Sequence, residues 1–242
     1  MTTTAKRGMH RFTWDLKLAQ IRDFDPSADD DDEPGATGAV PHRTYPAVNA
    51  PWAPPGTYTL RLTVSGKKYT QPLTLRLDPR VKTAAAGLAQ PASLSKEMYD
   101  GAVATHVADV QARGVSTQLA AISSPDAAAL KARIDSIAPP NRGGRGGRGG
   151  RGGGRAGGRG GAANAPPTLD AASASMLAAA MAMQSAEVAP TASEIAACAR
   201  ARAEGAAVQA KWSALKTTIN AFNTKQKASG QPTVSLPSVE VN

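Results

Sequence analysis

The stretch TYTLRLTVSGKKYTQPLTLRLD, Thr57 to Asp78, narrows most what this chain can fold into. Tyr58, Leu60, Leu62 and Val64 alternate with Thr57, Thr59, Arg61 and Thr63, the period-two pattern of a strand with one apolar face. Ser65-Gly66 then supplies a two-residue hairpin loop. Folding about that loop sets Val64 opposite Lys67, Leu62 opposite Tyr69, Leu60 opposite Gln71 and Tyr58 opposite Leu73. The apolar faces then coincide, and a slip of one residue turns one of them over. Leu75 and Leu77 prolong the same face, and APPGTY provides a proline-glycine turn into the first strand. Pro72 has no N–H for a ladder, so its nitrogen is expected at an edge or a bulge.

Upstream, HRFTWDLKL also alternates: His10, Phe12, Trp14, Leu16 and Leu18 fall on one side, which predicts a strand over 10–18. Between this run and the hairpin lies an insertion with DPSADDDDEPG near its start. Four consecutive aspartates lack the spaced ligands and turning glycine of a calcium loop, so a disordered acidic loop near 25–50 is expected, with Tyr45 and Trp52 pinning its far end. Short alternating strands of this kind predict a partial Ig-like antiparallel β-sandwich over 1–81. A complete sandwich of that type needs about seven strands, and this region offers three firm ones and a fourth candidate. Such a half-sandwich cannot cover its own inner face. Upstream strands, the helices or another chain must do so, and an uncovered face invites association.

GMHRFTWDLK together with PPGTYTLRLTVSGKKYTQPLTLRLDPRV resembles the C-terminal module of secreted bacterial proteins with sortilin-like or BNR-repeat β-propellers, often labelled glycosyl hydrolases. The resemblance is carried by Gly8, Arg11, Phe12, Trp14, Asp15, Leu16, Pro55, Gly56, Tyr58, Arg61, Leu62, Gly66, Gln71, Pro72, Leu73, Asp78, Pro79 and Arg80. His10 and Lys17 stand where that pattern has asparagine and arginine. The strand-turn-strand pattern is also similar to the Ig-like domain of the flagellar hook-capping protein. The propeller resemblance implies an exported, non-catalytic accessory module that supports propeller packing or protein association, with this chain a fragment or a separately encoded half. The matching residues read as core, turn and strand-end positions, with Asp15 or Asp78 available to pair with an arginine.

After residue 81 alanine dominates and the period changes. PASLSKEMYDGAVATHVADVQARGVSTQLAAIS carries Leu94, Met98, Val103, Val107, Val110, Leu119 and Ile122 at helical spacings. Ser124-Pro125 reads as an N-cap and first-turn proline for a second helix, with Leu130, Ile134 and Ile137 as its stripe and Pro139-Pro140 as its stop. TLDAASASMLAAAMAMQSAE gives a third helix. Thr191-x-x-Glu194 is a capping box for a fourth, which carries Ile195, Cys198, Val208, Trp212, Leu215, Ile219 and Phe222 and ends at Gly230. These segments predict an Ala-rich antiparallel helical bundle over 92–138 and 166–228. APTASE and KWSALKTTINAFN resemble that family's terminal helices.

Residues 139–165 form an Arg/Gly-rich linker. Arg142, Arg145, Arg148, Arg151, Arg155 and Arg159 are spaced by glycines, a candidate polyanion-binding segment of the RGG type. Setting those six aside, 22 basic residues face 19 acidic ones, so the net charge of +9 falls to +3 and most of the excess is local. No RNA-binding fold and no interleaved aromatic accompanies the run, which favours a disordered spacer with weak, salt-sensitive, nonspecific polyanion affinity. The alternatives to an accessory module are thus a fragment of a glycoside hydrolase-like enzyme, for which no carboxylate pair emerges, and an RGG-type nucleic-acid binder.

No cofactor or metal site is read from the sequence: His10, His42, His106 and the single Cys198 are far apart. Cys198, among alanines, is expected to be a buried inert thiol, and Met176, Met181 and Met183 are expected to fill core. The first 30 residues lack the apolar core of a signal peptide although the resembled family is exported, and no apolar stretch is long enough to span a membrane.

Overall fold

The computed structural model describes residues 8–21, 50–140, 166–184 and 187–239. The acidic insertion and the Arg/Gly run, with all six of its arginines, lie outside the described residues, as do Tyr45 and His42.

The described residues are α+β, with one two-stranded antiparallel sheet followed by four helices. Strand β1 spans Gly56–Val64 and β2 spans Lys67–Leu75. Their register pairs Val64 with Lys67, Leu62 with Tyr69, Leu60 with Gln71 and Tyr58 with Leu73, as the matched faces require. Ser65 at φ 49° and Gly66 at φ 80° place both loop residues in the left-handed region, the signature of a type I′ hairpin turn.

Residues 10–18 do not form the strand their alternation predicts. Asp15 Oδ1 accepts the Lys17 amide at 3.1 Å and Trp14 Nε1 donates to the Lys17 carbonyl at 2.9 Å. Leu16 is thereby held at φ 62°, where no strand continues. A tight turn replaces the strand, and only an isolated bridge between Lys17 and Trp52 remains of sheet pairing there.

Helix α1 runs Ala85–Ala120, α2 Pro125–Asp135, α3 Leu169–Ala182 and α4 Ala192–Ala228. Their starts follow the local chemistry. The Ser124 side chain accepts the Ala127 amide ahead of Pro125, Thr168 accepts the Ala171 amide, and Thr191 and Glu194 form a reciprocal capping box. Gly230, at φ 64°, follows the end of α4. Helix α1 begins seven residues before the expected position 92 and so carries Pro91 inside it, where the ring removes the amide that would otherwise bond the Gly87 carbonyl.

The buried face of α1 has a stripe of Ser95, Met98, Ala102, Thr105, Asp109, Ala112, Ser116 and Leu119, alternating steps of three and four, with Tyr99, Ala108 and Val115 buried beside it. Val103 and Val107, the larger apolar residues, stand beside that stripe and are half-buried. Helix α4 follows the same rule with Cys198, Ala201, Gly205, Val208, Trp212, Leu215, Ile219 and Phe222. Small residues on these faces let the helices approach closely. Helix α3 packs on both α1 and α4, and α2 leans on α1 and α4. One core cluster centres on Val115, Leu119, Ile134, Leu169, Val208 and Trp212. A second joins Met98, Tyr99, Met176, Met183 and Cys198 to Ile21 and Ala50, so the residues flanking the acidic insertion are seated on the helices.

Candidate functional site

The hairpin touches none of the four helices through its strands: β1 packs on β2 and on no other element. Its base is fixed instead by short loops. Trp14 and Tyr58 meet edge to face with ring centroids 5.5 Å apart, and the Tyr58 hydroxyl donates to the Pro54 carbonyl at 2.5 Å. Leu18 donates its amide to Pro51 at 2.9 Å and Ala53 donates to Leu16 at 2.7 Å. The Lys17 ammonium lies 4.7 Å from the centre of the Trp52 ring.

This loop pair is tied to the helices by polar contacts. The Trp52 amide donates to Gln184 Oε1 at 2.8 Å, Gln184 Nε2 donates to Ser95 Oγ at 3.0 Å, and the Tyr99 hydroxyl donates to the Ala19 carbonyl. Burial raises the Tyr99 hydroxyl above its ordinary value, with the nearby Asp100 charge adding to it, so it remains a donor at neutral pH. A cleft of about 550 Å³ lies above these contacts, walled by Leu16, Leu18, Trp52, Leu77, Leu88 and Met183.

Beyond its base, the hairpin presents one apolar face to solvent. Leu60, Leu62, Val64 and Tyr69 are each about half exposed, at 48, 52, 50 and 49%. For residues in a two-layered sheet the inward side would be covered, so these values mean that no described residue covers this one. Phe12 and Trp52 are also half exposed. Lys67 stands at the loop end of the face with its ammonium 5.3 Å from the Tyr69 ring centre. The opposite face carries Thr57, Thr59, Arg61, Thr63, Lys68, Thr70 and Thr74 and is polar. One face of the hairpin is thus an exposed apolar strip and the other is polar.

The other singled-out residues are placed as follows. Asp78 pairs with Arg80 in an exposed ion pair at 2.6 Å, which lowers the Asp78 carboxyl below its ordinary value and closes the turn after β2. Cys198 is buried on α4, and burial raises its thiol above the ordinary value, the protonated and unreactive state. Met176 and Met183 are buried in the second core cluster, and Met181 is half-buried. Among the described residues no three His, Cys, Asp or Glu stand close enough to hold a metal ion. No helix among them is long and apolar enough to cross a membrane.

Sequence reasoning missed two features. Asp109 lies in the core stripe of α1, its Oδ2 paired with Arg113 Nε at 2.6 Å and its Oδ1 without a partner. The heptad spacing 102, 105, 109, 112 was the available signal. The second is the seating of the C-terminal tail. Asn223 donates to the Val234 carbonyl at 2.7 Å and accepts the Val234 amide at 2.9 Å, while Gln118 does the same for Ser235 at 2.8 and 2.9 Å. No protein-family model, curated protein or solved structure matches this chain.

Proposed function

We propose that this chain is a non-catalytic association module, a partial Ig-like sandwich joined to an Ala-rich helical bundle, whose open β face is covered by a β-propeller. The observation that carries the proposal is the strip of Leu60, Leu62, Val64 and Tyr69, half exposed along a hairpin whose strands pack on no helix. Burying such a strip against a partner contributes about 25 cal/mol per Å² of apolar surface removed from water. The loops at its base, anchored through Trp52, Gln184, Ser95 and Tyr99, hold the hairpin at a fixed place on the helices. The resemblance of GMHRFTWDLK and the hairpin residues to the terminal module of propeller proteins supports a propeller as that partner.

The test is co-expression of the full chain with a propeller-bearing polypeptide encoded immediately upstream of its gene. Co-purification that is lost in a Leu60→Lys, Leu62→Lys variant is the expected result. Absence of propeller repeats upstream, no co-purification, or a variant that binds as well as the parent overturns the proposal.

A further inference from the structure

The geometry points to a second association surface, distinct from the open face: the outer edge of β1 pairs antiparallel with the same edge of a second copy of this chain, about a two-fold axis at Leu60. The inference does not depend on what covers the face.

The two-residue loop fixes which backbone groups point where. Val64 and Lys67 close the loop as a hydrogen-bonded pair, and the pairs alternate from there. Tyr58, Leu60 and Leu62 therefore direct their N–H and C=O groups inward to β2. Thr57, Thr59, Arg61 and Thr63 direct theirs outward. On β2 the outward positions are Lys68, Thr70, Pro72 and Thr74. Pro72 supplies no N–H, so the outer edge of β2 is broken at its middle, whereas that of β1 offers every donor and acceptor from Thr57 to Thr63. Among the described residues β2 is the only strand paired with β1.

The sequence of β1 is complementary to itself over its whole length in one register. A two-fold at Leu60 sets Leu60 opposite its own copy, Tyr58 opposite Leu62, Thr57 opposite Thr63 and Thr59 opposite Arg61. The outward groups of 57, 59, 61 and 63 then meet as hydrogen-bonded pairs, the two apolar faces become one, and no like charges stand opposite each other. An axis at Arg61 instead sets two arginines face to face, and an axis at Thr59 brings Pro55 opposite Thr63. The register at Leu60 uses all nine residues of the strand and gives an isologous four-stranded sheet, in the order β2, β1, β1, β2.

The rest of the chain supplies no better occupant. The segment 22–49 is interrupted by Pro26, Pro34, Pro41 and Pro46 and carries Asp29 to Asp32, so it offers no nine-residue alternating run to match β1. A single strand edge is a small contact, below about 1,200 Å² in total, which places the self-association in the reversible, concentration-dependent range.

Sedimentation velocity of the full chain across a concentration series tests the inference. The parent is expected to pass from monomer to dimer. Thr59→Pro removes one outward N–H and should abolish the dimer, while Thr70→Pro, the matched change on the outer edge of β2, should leave it intact. Thr59→Arg faces Arg61 of the second copy twice and should weaken the dimer about tenfold, and Thr59→Glu should strengthen it by a similar factor. That pair of variants decides the matter even if a proline variant fails to fold. A parent that stays monomeric throughout, equal weakening by both prolines, or Arg and Glu at 59 acting in the same direction overturns the inference.

Discussion

A Cβ on Gly205 would stand 1.9 Å from the Met176 methyl carbon, so the thioether end occupies the space a side chain at 205 would need. Gly101 on α1 faces the same thioether from the other side, its Cβ position 2.7 Å from Sδ. Met176 of α3 is thus the key between α1 and α4, and the two glycines are its slot. Across the slot Glu97 holds Arg202 at 2.5 Å and Gln209 donates to Thr105 at 3.2 Å, which keeps the two long helices at that separation.

The first prediction is a change of sign. Gly205→Ala gains about 1 kcal/mol of helix propensity but drives the methionine from its seat, and overpacking of this kind costs about 1–3 kcal/mol. The net effect in the parent is destabilisation by about 1 kcal/mol. In a Met176→Ala background the clash is gone, and the same Gly205→Ala change should stabilise by up to about 1 kcal/mol. Urea denaturation of the four proteins of that cycle reads the coupling directly. Additive behaviour would mean that Met176 is not seated between the glycines.

Asp109 predicts a pH dependence. Burial dominates and raises its carboxyl above the ordinary value, the Arg113 pairing opposes this, Asp170 adds to it and His106 opposes it. A raised acid favours the folded state below the unfolded value of 3.8, and that contribution is lost as pH rises through the folded value. Asp109→Asn should therefore raise the melting temperature at neutral pH and remove the decline that begins near pH 4. Melting temperatures of parent and variant across acid to neutral pH check it; parallel curves would show that Asp109 does not titrate differently on folding.

How far the fold was legible depends on which interactions decide each element. The hairpin was fully readable, because Ser65-Gly66 and two matched alternations admit one register. The starts of α2 and α4 were readable from Ser124 and the Thr191–Glu194 box, since capping is local, whereas α1 has no side-chain cap to mark its start. Residues 10–18 misled because alternation does not reveal an Asx turn, and Asp15 with Leu16 makes one. The core face of α1 was legible only in part: Met98 and Leu119 lie on it as expected, but volume drew attention to Val103 and Val107, whereas close helix approach selects Ala102, Thr105 and Ala112. The exposed face of the hairpin was legible as an imbalance between strands and cover; the amide clamps on the tail were not, since they join residues 117 positions apart in one case and 11 in the other.

Those clamps give the third prediction. Val234 is buried in the main core cluster, and Asn223 satisfies both of its backbone groups. Asn223→Ala leaves two part-buried backbone groups unpaired and should cost about 1–3 kcal/mol, and Val234→Ala about 2 kcal/mol. Gln118→Ala, whose bonds to Ser235 are exposed, should cost less than either. Amide hydrogen exchange at Val234 should accelerate in Asn223→Ala before global unfolding does. An unchanged Val234 exchange rate would show that the tail is held by its apolar contact alone.

The final prediction separates the β surface from the stability of the helices. Neither β1 nor β2 packs on a helix, and Leu62 is half exposed, so Leu62→Lys removes no core contact. Helical melting, followed by far-ultraviolet circular dichroism, should change by less than about 0.5 kcal/mol. Trp212→Ala is the counter-case: that indole is 1% exposed at the centre of the main cluster, and its loss should cost about 3–5 kcal/mol. The contrast follows from where apolar surface is spent: Trp212 contributes its area to folding, while Leu62 keeps half of its own in water, available to a partner. If Leu62→Lys lowered the helical melting temperature as Trp212→Ala does, the hairpin would be part of the folded core rather than a surface held out from it, and the proposed docking face would be lost.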